Sequence, residues 1–379
     1  MYSVPGLECC TLLNGTRSNE VLLLERRIES RQLLNIMTLF LIAQFGGLFL
    51  IFVSFLPSYA YIAAQPIGQG SYLNPTDIVV NLVTAILFVY IIIRFYRADA
   101  LFQLFEFFFV IIGSFFFFIF VVGDLLPNIS TLASWALPLF LALLLLGTKR
   151  KYGRLRNMVT IISSIGYGIL IGIALVVQLG FIAVYAFMAI VAVYDYIAVF
   201  VLKFMIPFAR RASSMNLSMM IGSANVEFVP GRRIGRKEAR EYRKMDFGPI
   251  DKTVKGMISK GNAPMISSML LGNGDIMLPI AVAVGAYIAY FSYFVSVMIA
   301  LGAAMGLLFT TALLKKYKVG LPAIPPLFAF VNIFLAIAFA FTRPWDTAYI
   351  VIFVVASLLS ILAMLLTLRK MFGMNKART

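Results

Sequence analysis

The chain reads as an all-α polytopic membrane protein, and three observations predict that class. Of its 379 residues, 61% are hydrophobic, more than an ordinary soluble domain carries. The apolar residues gather in runs long enough to cross a bilayer core as helices. The basic residues fall almost wholly in alternate loops between those runs.

Ten runs qualify, at about 33–56, 78–96, 107–123, 131–147, 158–178, 180–202, 264–285, 290–314, 322–342 and 347–368. Before them, residues 1–32 form a charged tail with no small-residue cleavage site, so no removable signal is expected. Runs one to six fill 33–202; the fourth is short and carries Pro138 inside it. A basic loop, 203–263, follows. Runs seven to ten fill 264–368, and 369–379 form a second tail. With ten spans, the tails and the even-numbered loops share one side, and that side holds 31 of the 32 lysines and arginines. Only Arg343 falls on the other. The positive-inside rule therefore puts both termini in the cytoplasm.

The net charge of +16 is thus a product of topology. It points to contact with anionic lipid head groups rather than with nucleic acid. Cys9 and Cys10 are adjacent in a cytoplasmic tail, where a structural disulfide is not expected. The loop 203–263 is interrupted by glycines and prolines and reads as mostly flexible, with a short helix at about 236–244. It serves either as a tether or as a gate or docking segment. Gly168-x-x-x-Gly172 and Gly302-x-x-x-Gly306 suit close helix packing.

The chain has no histidine, which removes Ser-His and Cys-His catalysis, HExxH zinc sites and haem ligation by histidine. No P-loop is present. What remains is carboxylate chemistry that needs neither metal nor other cofactor. Asp77, Asp99, Asp124 and Asp346 lie at run ends, and Glu106, at the start of the third run, is expected to reach the cytoplasmic surface. Asp195 and Asp275 lie inside apolar runs, where an acid is costly and is by default a functional group. Asp195 is eight residues before Lys203 and Asp275 eleven after Pro264. On helices those separations are ~12 and ~16 Å, so the two acids lie at similar depth on consecutive antiparallel spans.

Two close carboxyls in a low-dielectric site cannot both ionise and so hold one proton between them. That state suits an aspartic protease: the ionised acid activates a water and the neutral acid donates to the peptide carbonyl. A proton- or cation-coupled transporter uses paired acids too, and is the alternative. The neighbouring residues favour hydrolysis. Gly272 and Gly274, after Leu271, clear side chains from beside Asp275, so another backbone can approach. Pro322, Pro325 and Pro326 distort the start of the ninth run.

Three motifs, Tyr194-Asp195, Gly272-Asn273-Gly274-Asp275 and Pro322-Ala323-Ile324-Pro325, resemble those of the presenilin and signal peptide peptidase family of GxGD intramembrane aspartic proteases. They stand in the family's order, in runs six, seven and nine. Isoleucine replaces the family's leucine at Ile324. The resemblance implies a nine-span presenilin-like core; the tenth run, 347–368, departs from it. It assigns Asp195 and Asp275 as the catalytic pair. Tyr194, Leu271, Gly272, Gly274, Pro322, Ala323, Ile324 and Pro325 would shape the site and bind substrate. It also implies a substrate that unwinds and pairs as a strand near the start of run seven. A sixth run directed inward matches the presenilin branch, whose substrates are single-span (type I) proteins. A prokaryotic, archaeal-type enzyme in the cell membrane is expected, with no obligate partner; homo-oligomerisation is left open.

Overall fold

The computed structural model describes residues 2–3, 19–62, 99–126, 128–151, 155–201, 218, 220–233, 262–317, 321–342 and 347–376. Nine helices lie in these segments: α1 (Asn19–Ile62), α2 (Asp99–Leu125), α3 (Thr131–Lys151), α4 (Arg156–Leu179), α5 (Phe181–Tyr196), α6 (Asn273–Tyr290), α7 (Tyr293–Tyr317), α8 (Ile324–Thr342) and α9 (Thr347–Lys376). With the π-helical turn Ile197–Val201 that extends α5, all nine are long and apolar enough to cross a membrane. They answer to runs one and three to ten. The expected second span, 78–96, and the short helix at 236–244 lie outside the described residues.

Two expectations change. The seventh span starts at Asn273, not near residue 264, because Asn262–Gly272 is a strand (β3). The preceding loop is not simply flexible either: Met220–Arg233 forms β2, which pairs antiparallel with β3 from Met220↔Gly272 to Arg233↔Asn262. A short N-terminal strand, β1 (Tyr2–Ser3), pairs antiparallel with the other edge of β3 at Leu270 and Met269, giving the order β1-β3-β2.

Helix α6 is the hub, with 78% of its span buried, against 17% for α9 at the edge. The glycine pairs explain how tightly it is held. A Cβ on Gly168 of α4 would lie 2.7 Å from Ile280, and one on Gly172 would lie 2.7 Å from the Ala281 carbonyl oxygen, both on α6. Gly302 and Gly306 of α7 meet α8 in the same way, 2.8 Å from the Phe330 oxygen and 2.6 Å from the Leu327 Cα. Only glycine allows such backbone approach. A single residue, Gly180 with φ 82°, joins α4 to α5, a backbone angle that suits glycine. Helix α9 packs on α8 and reaches α5 through Tyr185–Phe353 ring contact and a hydrogen bond between Tyr196 and Thr367.

Candidate active site

Helices α5 and α6 run antiparallel. Phe181, the first residue of α5, packs edge-on against Tyr290, the last of α6, and Val184 fits against Gly285. Asp195 lies fourteen residues beyond Phe181, and Asp275 fifteen before Tyr290. At ~1.5 Å per residue both acids are ~21–22 Å from that shared contact. The structure thus brings them to the same level. Both residues are buried, 6% and 8% exposed.

The levels agree for a different reason from the sequence estimate. Asp275 is not several turns into its helix. It is the third residue of α6, immediately after β3, and its Oδ2 accepts the Gly272 N–H at 3.2 Å, closing the first turn. Asp195 is the next-to-last residue of α5, just before the π-helical turn Ile197–Val201, an irregularity frequent at functional sites. Its Oδ2 accepts the Ile324 N–H at 3.2 Å, with the Ala323 N–H also directed at it. These N–H groups lie at the start of α8. Pro325 and Pro326 follow and have no N–H, so the donors of this turn that face Asp195 belong to Ala323 and Ile324. Asp275 thus lies in the first turn of α6, and the Asp195 carboxyl faces the first turn of α8.

The remaining expected residues sort by position. Leu271, Pro322, Ala323, Ile324 and Pro325 are buried, and of these Ala323 and Ile324 reach Asp195 through their N–H groups. A Cβ on Gly272 would lie 3.4 Å from Asp275 Oδ2, in ordinary contact. A Cβ on Gly274 would meet no atom of the described residues within 4 Å, so among these the space at Gly274 is open. Tyr194 is 41% exposed, on the outer flank of α5.

Two groups were not anticipated. Gln44 of α1 donates from Nε2 to the Ile276 carbonyl at 2.9 Å, pinning the residue after Asp275. Glu106, expected at the surface, is instead 9% exposed; its Oε1 accepts from Lys149 of α3 and from the Ser218 N–H at 2.5 Å. The correction has a simple cause: a carboxylate in an apolar setting is tolerated when an ammonium and an N–H meet it. Lys149, spaced 43 residues away, was the only sequence hint. Among the described residues no cluster of His, Cys, Asp or Glu could hold a metal ion.

A family model described as signal-peptide peptidase, presenilin aspartyl protease matches residues 37–342, more than half of the chain. A comparison with curated proteins finds none that matches.

Proposed function

Because the chain belongs to the signal-peptide peptidase and presenilin family of aspartyl proteases, we propose that Asp195 and Asp275 are its catalytic pair and that it is a GxGD enzyme. The observation that carries this reading is that two buried acids stand at the same level on antiparallel α5 and α6. One proton is shared by the pair. The ionised carboxyl takes a proton from a water as the water oxygen attacks the peptide carbonyl carbon. The neutral carboxyl gives its proton to the carbonyl oxygen, forming a tetrahedral diol. The C–N bond then breaks as the carboxyl that took the water's proton gives it to the leaving nitrogen, while a diol hydroxyl returns its proton to the other carboxylate and the new acid forms. No covalent enzyme intermediate is involved.

The substrate is a transmembrane segment of a single-span protein with its N-terminus outside, unwound near the bond that is cut. Support comes from the space at Gly274, open among the described residues, where a substrate backbone can lie against the acids. Tyr194, on the exposed flank of α5 beside buried Asp195, is suited to touch a helix arriving from the lipid. Ala323 and Ile324 hold Asp195 in place through their N–H groups. The enzyme works in a prokaryotic cell membrane with both termini cytoplasmic, and without an obligate partner.

The test is hydrolysis of a reporter type-I span in liposomes by wild type, Asp195→Ala and Asp275→Ala. Wild type is expected to cut and both variants to be inactive. Cleavage by either variant at the wild-type rate would end the assignment. Proton-driven solute uptake without hydrolysis would replace it with transport.

A further inference from the structure

Glu106 stands on α2 between exposed apolar neighbours, Leu104 and Phe107, yet is itself buried. Its ion pair with Lys149 satisfies the charge. Its second partner is more informative. The Ser218 N–H it accepts belongs to a residue two before β2, whose first residue, Met220, pairs with Gly272. The other side of the same residue is also held: the Ser218 carbonyl accepts from Thr160 Oγ1 at 3.3 Å and from Asn273 Nδ2 at 3.5 Å. Asn273 Oδ1 in turn accepts from Ser164 Oγ at 2.5 Å. One buried chain of hydrogen bonds therefore runs from Glu106 through Ser218 to Asn273, two residues before Asp275.

We propose that Glu106 is a positioning residue: as acceptor for the Ser218 N–H, it fixes the start of β2 and, through Asn273 and the Met220–Gly272 pairing, the turn that presents Asp275. The physical need is specific. The Asp275 turn follows a strand rather than another helix, and a strand that slips one residue turns its side chains to the other face. Helix α6 is gripped from Ile276 onward by α1 and α4, and Asn273, before Asp275, is held both by Ser164 of α4 and, through Ser218, by Glu106. The effect on turnover rests on the protease reading above; the tether itself does not.

The test compares two neutral double variants of the full chain in liposomes, E106Q/K149M and E106L/K149M. Both remove the ion pair without leaving a lone buried charge, and only the glutamine keeps an acceptor oxygen for Ser218. Hydrogen exchange over residues 218–224 reads the tether without substrate. Reporter cleavage reads its consequence. Exchange in the leucine double is expected to be about tenfold faster than in wild type, with the glutamine double unchanged. The leucine double should lose about tenfold in kcat with KM within about twofold, the pattern of a misplaced reacting group. Equal exchange in the two doubles would overturn the proposal. So would separated exchange with equal kcat, which would leave Glu106 a structural anchor only. Separated exchange in a protein whose wild type hydrolyses nothing would uphold the tether and overturn the protease reading.

Discussion

Gly274 offers a separation of stability from activity that can be worked from its surroundings. It is the second residue of α6, and an added Cβ meets no heavy atom of the described residues within 4 Å. Gly274→Ala therefore carries no steric cost in the resting protein. Replacing a helical glycine with alanine stabilises by up to about 0.5–1 kcal/mol, because the unfolded chain loses freedom. The same methyl group would occupy the space in which a substrate backbone approaches Asp275. A displacement of the scissile bond by about 1 Å costs on the order of 100-fold in rate, or about 2.7 kcal/mol of barrier. Gly274→Val, with a larger group, should abolish turnover. Thermal unfolding in detergent and kcat on a liposome reporter measure the two quantities. Full turnover by Gly274→Val would show that substrate does not lie there. A fall of several degrees in the melting temperature of Gly274→Ala would show that the space is filled.

Three other expectations follow from packing and from the acids. Gly168→Val forces α4 away from Ile280 and the Met277 oxygen and should destabilise by about 1–3 kcal/mol, as measured by chemical unfolding; the effect of Gly272→Ala, whose Cβ has ordinary contacts, should be much smaller. Thr367→Val removes the hydrogen bond from α9 to Tyr196 and should cost about 1 kcal/mol of stability with catalysis retained, since the residue touches neither acid. The rate should rise and then fall with pH, because the one-proton form of the pair is lost in both directions; a profile flat across the stable pH range would contradict proton sharing.

Much of this architecture was legible in the sequence because membrane helices must be long, apolar and internally hydrogen-bonded. The glycine pairs at 168/172 and 302/306 announced close contact, and both make it. The two acids stood out because nothing near them in the chain could satisfy a charge. What failed was the boundary at 264–272, Pro-Met-Ile-Ser-Ser-Met-Leu-Leu-Gly. A short apolar run of that length reads equally well as strand or helix, and its identity is set by β2, whose pairing residues lie some forty positions earlier. The sequence estimate of depth for Asp275 counted that strand as helix. Glu106 was misjudged for a related reason: its burial depends on Lys149 and on the backbone of Ser218, neither visible from residues beside it. The π-helical turn after Asp195 likewise has no local signature in Ile197-Ala198-Val199-Phe200-Val201.

That the two carboxyls act as one unit is tested most directly by a double-mutant cycle on reporter cleavage with Asp195→Asn, Asp275→Asn and the combined variant. Each single change should remove on the order of 1,000-fold or more of the turnover, and the double should lose no more than either alone, as expected for groups that work together. Losses that multiply, or one single variant that still cuts at the wild-type rate, would show that the acids are not a pair.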